Sequence, residues 1–216
     1  SSTSRGLGDV YKRQLLGWSV PEGMEERFTL GEAADQFSFD RVNKAGARFD
    51  WDKLNWLNAQ VLHSWSSAQL LDVLRPLWLK NGWTIPNDNG WALELCELLG
   101  PSLTLLNDGL DQAAPFFECP ALEDDGLKQL QSEGAKAAIG HLIDALQAER
   151  WMGTDLDQAQ TLLGDAAKAA GVKKGVMMKS LRAALLGRLQ GPDLLTTWSL
   201  LAKNSDDLPR LQRCLS

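Results

Sequence analysis

The sequence has few of the residues that build most catalytic and metal sites. Histidine occurs only twice in 216 residues, at His63 and His141. Neither stands in a pattern with carboxylates or cysteines that is typical of metal ligands. Neither histidine lies near a serine or cysteine that would form a nucleophile–base pair. A glycine loop with phosphate-binding spacing is also missing. We therefore predict no catalytic residue, no metal site and no cofactor site in this chain.

Cysteine is scarce as well, and its pattern indicates which cellular compartment the protein occupies. The three cysteines, Cys96, Cys119 and Cys214, are far apart and form no CxxC pair. They indicate reduced thiols rather than a disulfide framework or a zinc site. The sequence also lacks an apolar run approaching the ~18–20 residues of a membrane span. Its first residues do not follow the order of a signal peptide. We expect a cytoplasmic protein that binds no membrane.

Strand-like alternation with hairpin turns is absent, and apolar residues instead recur at helical spacing nearly throughout. Two capping boxes support helix starts, one at Thr29 with Glu32 and one at Ser66 with Gln69. The sequence therefore predicts an all-α fold.

Further helix boundaries follow from single residues. Thr154 is predicted to open a helix that Gly171 ends. Proline is favoured in the first turn of a helix, so Pro192 and Pro209 are each predicted to begin one. Nine tryptophans are many for this length. We expect most of them in the core, including Trp51 and Trp56, and one or two could stack on nucleic-acid bases.

Charge is distributed unevenly along the chain. The formal net charge is −6, but no acidic residue occurs between Ala166 and Pro192. Six cations lie in that stretch: Lys168, Lys173, Lys174, Lys179, Arg182 and Arg188. The charge of the rest of the chain therefore sums to −12. From Thr84 to Ala135, ten acids oppose Lys128 alone. This asymmetry indicates either an anionic partner for the basic stretch or a solvated helix face balanced by acids nearby in space.

Composition divides the chain into four segments. Residues 1–14 are rich in serine and glycine and lack apolar periodicity, so we expect a disordered or artefactual leader. Residues 15–66 mix tryptophan, asparagine and both charges. Residues 67–126 end in a loop that is a candidate domain boundary. Residues 127–216 form alanine- and leucine-rich helices that hold the basic stretch.

Three segments carry a resemblance to a known family: "LLGWSVPEG" at 15–23, "FTLGEAADQFSFDRVNKAGARFDWDKLNWLN" at 28–58, and "KSLRAALLGRLQGPDLL" at 179–195. With them the chain, from about residue 15 to its end, resembles the C-terminal half of a bacterial-type glutamate–tRNA ligase. The sequence of these segments most resembles that of cyanobacterial members. The leader at 1–14 does not match the family.

The resemblance implies the end of a stem-contact region at 15–66, followed by two helical anticodon-binding subdomains that form an α-helix cage. It implies tRNA, not DNA, as the partner. The family holds ATP, magnesium and glutamate in an N-terminal Rossmann domain that this sequence lacks, so the chain alone is expected to be inactive. Four cations would contact the tRNA stem: Arg41, Lys44, Arg48 and Lys53.

By position, the resemblance also implies an anticodon site in the last subdomain. Arg182 matches an arginine that contacts the anticodon in the family. Gly191, Pro192, Leu194 and Leu195 fall where the family contacts the second and third bases. Turn formation and core packing are the alternative roles of these four residues. Four cations would bind the tRNA backbone: Lys173, Lys174, Lys179 and Arg188.

One departure from the family pattern concerns specificity. Discriminating members carry an arginine that recognises the third anticodon base, and Ser102 occupies that position here. A short hydroxyl cannot reproduce the two-pronged contact of a guanidinium. The resemblance therefore implies a ligase that charges both tRNA-Glu and tRNA-Gln.

Two other functional classes stay open from the residues themselves. A helical adaptor could use the basic stretch to bind an acidic protein partner. An unrelated small enzyme is the third alternative, and the absence of a catalytic constellation argues against it.

Overall fold

The computed structural model describes residues 18, 21–23, 28–42, 50–86 and 89–215. The leader at 1–14 lies outside these residues. Within the described part the secondary structure is helical, and the only β-type pairing is an isolated bridge between Trp18 and Val42. The prediction of an all-α fold is confirmed. The chain divides into two compact units, Ser1–Ser64 and Trp65–Ser216.

The first unit contains two described α-helices. Helix α1 spans Leu30–Gln36, a 3-10 turn spans Phe39–Arg41, and α2 spans Trp51–His63. The predicted capping box at the start of α1 is present: the Thr29 hydroxyl accepts from the Glu32 amide, and the Glu32 carboxylate accepts from the Thr29 amide. These bonds lower the pKa of the Glu32 carboxyl.

Aromatic rings supply much of the packing in the first unit. Phe28 is buried, and its ring meets that of Trp18 edge to face at 5.8 Å. The ring centroid of Phe37 lies 6.1 Å from that of Trp18. The expectation that Trp51 and Trp56 belong to the core is wrong for these described residues, because they are 65% and 52% exposed. Helical spacing placed them among leucines, but both rings face outward from α2.

The described residues of the second unit form ten α-helices. They are α3 (Ser67–Lys80), α4 (Asn89–Leu99), α5 (Asp108–Asp111), α6 (Ala114–Phe117), α7 (Asp124–Leu130), α8 (Ala135–Ala148), α9 (Leu156–Ala169), α10 (Lys174–Leu186), α11 (Leu194–Lys203) and α12 (Asp207–Gln212). A 3-10 turn, Gly100–Ser102, follows α4. The second predicted capping box, Ser66 with Gln69, opens α3.

Two layers of apolar contacts hold the second unit together. Helix α3 packs on α4 and α5, and its fully buried Trp78 donates from the indole nitrogen to the Gly109 carbonyl at 3.0 Å. Helices α7, α8, α9, α11 and α12 pack around α10 through buried leucine, isoleucine and alanine side chains. Trp91 of α4 donates to the Leu200 carbonyl of α11 at 2.9 Å, which ties the two layers to each other.

Three predicted helix starts shift by one or two residues. Helix α9 is capped by Asp155 rather than Thr154, because the Asp155 carboxylate accepts from two first-turn amides. Helix α11 begins at Leu194, with Asp193 and not Pro192 beside its first turn. Helix α12 begins at Asp207, so Pro209 is its third residue. An amide hydrogen at that position would have no intrahelical acceptor, and proline is tolerated there.

A buried carboxylate joins three segments near the C-terminus. Asp207 is completely buried, and its two oxygens accept from the Arg150 guanidinium at 2.5 and 3.1 Å. The Trp198 indole also donates to Asp207, at 2.9 Å. All of these donors satisfy one buried charge, which would otherwise cost several kcal/mol. The network fixes α12 against α11 and the segment before α9.

The cysteines occupy different environments. Cys96 and Cys214 are buried and Cys119 is exposed. Burial raises the pKa of the Cys96 thiol to about 12, so this thiol stays protonated near neutral pH. None of the described helices combines the length and apolarity that crossing a bilayer requires.

Candidate nucleic-acid interface

Helix α10, in the middle of the basic stretch, has an unusually positive start. Lys173 is the N-cap residue of α10 and Lys174 is its first residue, and both are exposed. No side chain caps this end of the helix. Cations near a helix N-terminus are disfavoured by the helix dipole, and unpaired first-turn amides add to the positive potential. This end of α10 therefore attracts anions.

Lys179 and Arg182 continue the positive face along α10. They lie three residues apart, which puts them on one side of the helix. Lys179 is exposed, whereas Arg182 is half-buried. The opposite side of α10 is apolar and packs into the core with Met177, Leu181 and Leu185. The packing of this apolar side fixes the cations toward solvent.

The Arg182 guanidinium is anchored to the following loop. Its Nη1 donates to the Pro192 carbonyl oxygen at 2.7 Å. Partial burial lowers the pKa of Arg182, and the nearby Asp193 carboxylate opposes that shift. The group stays charged at neutral pH, because an arginine pKa begins above 12. Among the described residues it forms no ion pair and no second hydrogen bond, so Nε and Nη2 keep their donors.

The loop after α10 is held against the start of α7. Gly187 ends α10 with a φ of 76°, and its carbonyl accepts from the Glu123 amide at 2.8 Å. The Asp125 carboxylate accepts from the Leu189 amide at 3.1 Å. Gly126 faces Gly187 so closely that an added Cβ would lie 2.2 Å from the Gly187 oxygen. This close approach fixes the position of residues 187–189.

Gly191 lies in a tight space beside the arginine. Its φ is 155°, and an added Cβ would meet Leu186 Cδ1 at 2.6 Å and Arg182 Nη1 at 3.2 Å. The residue is therefore glycine because the loop passes directly over the end of α10. The structure brings Arg182, Gly191 and Pro192 into one contact group.

The two predicted leucines differ in exposure. Leu194 is 4% exposed, and Leu195 is half-buried. The Asp193 carboxylate accepts from the Thr196 amide at 2.9 Å and from its hydroxyl at 2.8 Å. The Thr196 amide in the first turn of α11 is therefore already paired. Leu194 is a core residue, and Leu195 keeps some accessible surface.

Arg188 has an acidic neighbour. Its guanidinium lies 3.8 Å from the Glu123 carboxylate, and its Nε is buried with no partner among the described residues. The ion pair is partly exposed, so its contribution to stability is small, about 0–1 kcal/mol. Glu123 nevertheless offsets much of the positive potential at this position.

Ser102 lies in the other layer of the second unit, in the 3-10 turn after α4. Its hydroxyl oxygen is 2.8 Å from the Leu99 carbonyl oxygen and 2.5 Å from Gln112 Oε1. Ser102 is exposed and Gln112 is half-buried. No hydrogen bond of the described residues connects this pair with Arg182.

The predicted stem contacts lie in the first unit. Arg41 ends the 3-10 turn and is exposed. Lys53 is half-buried in the first turn of α2, where the Asp50 carboxylate accepts from its amide at 3.0 Å. Lys44 and Arg48 lie outside the described residues.

Sequence reasoning missed four residues that shape these sites. Asp193 could have been found, because aspartate ahead of an apolar run is a common N-cap. Gln112, Glu123 and Asp125 make contacts with residues distant in sequence, and no local pattern identifies them. In the described segments no group of three histidine, cysteine or acidic side chains is arranged to hold a metal ion.

Comparison with known proteins places this geometry in a family. A family model described as an anticodon binding domain matches residues 69–215. The chain belongs to this anticodon-binding family. The matched residues include α10 and the loop after it. They also include Ser102.

Relatives extend the match to the first unit. The chain is 98% identical over 202 residues to a glutamate–tRNA ligase of Synechococcus sp. (strain CC9902), covering 94% of the chain and 42% of that protein. A glutamate–tRNA ligase of Parasynechococcus marenigrum (strain WH8102) is 72% identical over the same shares of each chain. The resemblance to the C-terminal part of cyanobacterial glutamate–tRNA ligases is confirmed. The chain spans 42% of the length of these relatives.

A solved structure has the same fold. The glutamate tRNA ligase from Elizabethkingia meningosepticum CCUG26117, solved in complex with its amino acid, superposes with a TM-score of 0.83. The match covers 96% of this chain and 40% of that one, at 24% sequence identity. This likeness supports the helical fold.

The close packing around Gly191 predicts that adding a single methyl group at this residue lowers the stability of the second unit. We expect Gly191→Ala to destabilise the second unit by about 1–3 kcal/mol, because the Cβ meets Leu186 and strains the loop. Gly175→Ala is the matched control: Gly175 lies in α10, and a Cβ added there would enter open space. Alanine there gains helix propensity of up to about 1 kcal/mol. Urea unfolding compares them, and equal stability of the two variants would contradict the packing.

Proposed function

We propose that this chain is the tRNA-binding part of a glutamate–tRNA ligase and binds the anticodon arm through α10 and the loop after it. The observation that carries the proposal is the half-buried Arg182, whose Nη1 is anchored while its other donors remain unpaired. A guanidinium held in this way is positioned before binding, so little rotamer entropy is lost when it meets a base edge.

The charge of the exposed side chains supports tRNA binding at the same surface. Lys173, Lys174 and Lys179 are exposed on α10, and none forms an ion pair within the described residues. Unpaired cations bind phosphates and release counterions, which favours binding without specifying sequence. Arg182 and the loop would then contact the unpaired anticodon bases, which can turn their edges outward.

The reaction belongs to the longer protein. The ligase would attach glutamate to tRNA using ATP and magnesium, in the part of the relatives' length that this chain does not span. No cluster of acidic, histidine or cysteine side chains among the described residues suits magnesium, so no catalytic step is assigned to them. This chain would position the tRNA, and the reaction would take place in the cytoplasm.

We further propose that the ligase accepts both tRNA-Glu and tRNA-Gln. The support is Ser102, a short neutral side chain at the position where the family pattern implies an arginine. Its hydroxyl already contacts Leu99 and Gln112, so it does not extend far from the 3-10 turn. Without a guanidinium, the site has no fixed set of donors that would favour a particular third anticodon base.

The salt dependence of tRNA binding tests the first proposal. We expect the triple variant Lys173→Ala, Lys174→Ala, Lys179→Ala to reduce the slope of log affinity against log salt by about 2–3, because three phosphate contacts are lost. The matched control removes three other exposed lysines: Lys80, Lys128 and Lys136. Filter binding of labelled tRNA measures both. Equal slopes in the two triple variants would refute the site and favour a protein-binding adaptor.

Aminoacylation tests the second proposal. The full-length ligase that carries this sequence should charge both tRNA-Glu and tRNA-Gln. We expect Ser102→Arg to lower kcat/KM for tRNA-Gln by about tenfold or more, since recognition of one base is worth about 1–3 kcal/mol. Charging of tRNA-Glu should change far less. Strict rejection of tRNA-Gln by the unmodified ligase would contradict dual specificity.

A further inference from the structure

The contact between Ser102 and Gln112 contains a proton that two acceptors compete for. The Ser102 oxygen is 2.8 Å from the Leu99 carbonyl oxygen and 2.5 Å from Gln112 Oε1. A hydroxyl has a single proton, so it can donate to only one of these oxygens at a time. Both contacts are therefore favourable at the same time only if Ser102 donates to Leu99 and the Gln112 amide supplies a proton to Ser102.

Gln112 can supply it by rotating its amide half a turn. The amide oxygen and nitrogen have nearly the same shape, so either end can face Ser102. In one arrangement Ser102 donates to Leu99, Gln112 donates to Ser102, and the amide oxygen is turned away as an acceptor. In the other, Ser102 donates to Gln112, and the amide nitrogen is turned away as a donor.

The surroundings favour a base edge over a phosphate at this position. Ser102 is exposed, and Gln112 retains part of its surface. The nearby Asp108 carboxylate is occupied by the Thr104 and Leu105 amides, at 2.9 and 2.7 Å. Between Thr84 and Ala135 the sequence has Lys128 as its only cation. A neutral base can approach such a site, whereas a phosphate would be repelled by the acids.

The two substrate tRNAs differ in the same respect. Glutamate and glutamine codons differ in their first base, so the anticodons carry C or G as their third base. C presents an exocyclic amino donor where G presents a carbonyl acceptor. A side chain that can turn either polarity outward pairs with both bases, whereas a fixed donor set does not.

We propose that Ser102 and Gln112 form a reversible donor–acceptor pair that lets the ligase accept either C or G as the third anticodon base. The inference rests on the proposed dual specificity and names Gln112 as a specificity-determining residue. Gln112 contacts the base, and Ser102 positions its amide. Exchange between the two arrangements requires only rotation of one amide and one hydroxyl.

Variants of Gln112 in the full-length ligase test the pair. Gln112→Glu presents acceptors only, which suits the amino group of C and opposes the carbonyl of G. We expect the ratio of kcat/KM for tRNA-Gln to that for tRNA-Glu to fall about tenfold, the effect of one hydrogen bond replaced by an unsatisfied contact. Gln112→Met removes both polarities, so both efficiencies should fall by a similar factor and the ratio should stay within about twofold.

The control is Gln160→Glu, which adds the same charge at an exposed position of α9. It should leave the ratio unchanged. A ratio for Gln112→Glu equal to that of the unmodified ligase overturns the inference while dual specificity stands. Unchanged efficiencies in Gln112→Met also overturn it, which keeps the test decisive if the glutamate variant does not fold. An unmodified ligase that rejects tRNA-Gln overturns dual specificity, and with it this inference.

Discussion

The hydrogen bond from Arg182 to the Pro192 carbonyl determines the shape of the proposed anticodon site. It joins the basic helix α10 to its following loop at 2.7 Å, and it requires a residue without a side chain at Gly191. The bond uses one nitrogen of the guanidinium and orients the rest. A half-buried charge interacts more strongly with a ligand than a solvated one, because water screens it less.

The uneven charge of the chain has a local explanation in each part. At the C-terminal end of α10, Glu123 lies 3.8 Å from Arg188 and Asp125 accepts from the Leu189 amide, so acids balance the basic stretch there. At the N-terminal end, Lys173 and Lys174 have no such neighbours among the described ion pairs. The explanation by nearby acids therefore applies to the C-terminal end of α10, and the explanation by an anionic partner is a proposal for its N-terminal end. The balanced end fixes the loop, and the unbalanced end remains available for an anion.

Local signals in the sequence predicted local structure well. The capping boxes at Thr29 and Ser66 each depend on residues three apart, so the sequence alone contains the whole interaction. Contacts between distant segments were not predictable in this way. Gln112 meets Ser102 across ten residues of sequence, and Trp51 faces outward although large aromatic rings usually pack in the core. The direction of a side chain depends on packing, which residue spacing does not specify.

Photo-crosslinking would test the central claim most directly. Both anticodons carry U as their second base, and 4-thiouridine at that position forms covalent bonds with residues in contact. With the full-length ligase and substituted tRNA-Glu, the account predicts crosslinked peptides from residues 182–195, around Arg182 and the loop after α10. Crosslinks confined to the first unit, or to helices α8 and α9, would show that the anticodon binds elsewhere.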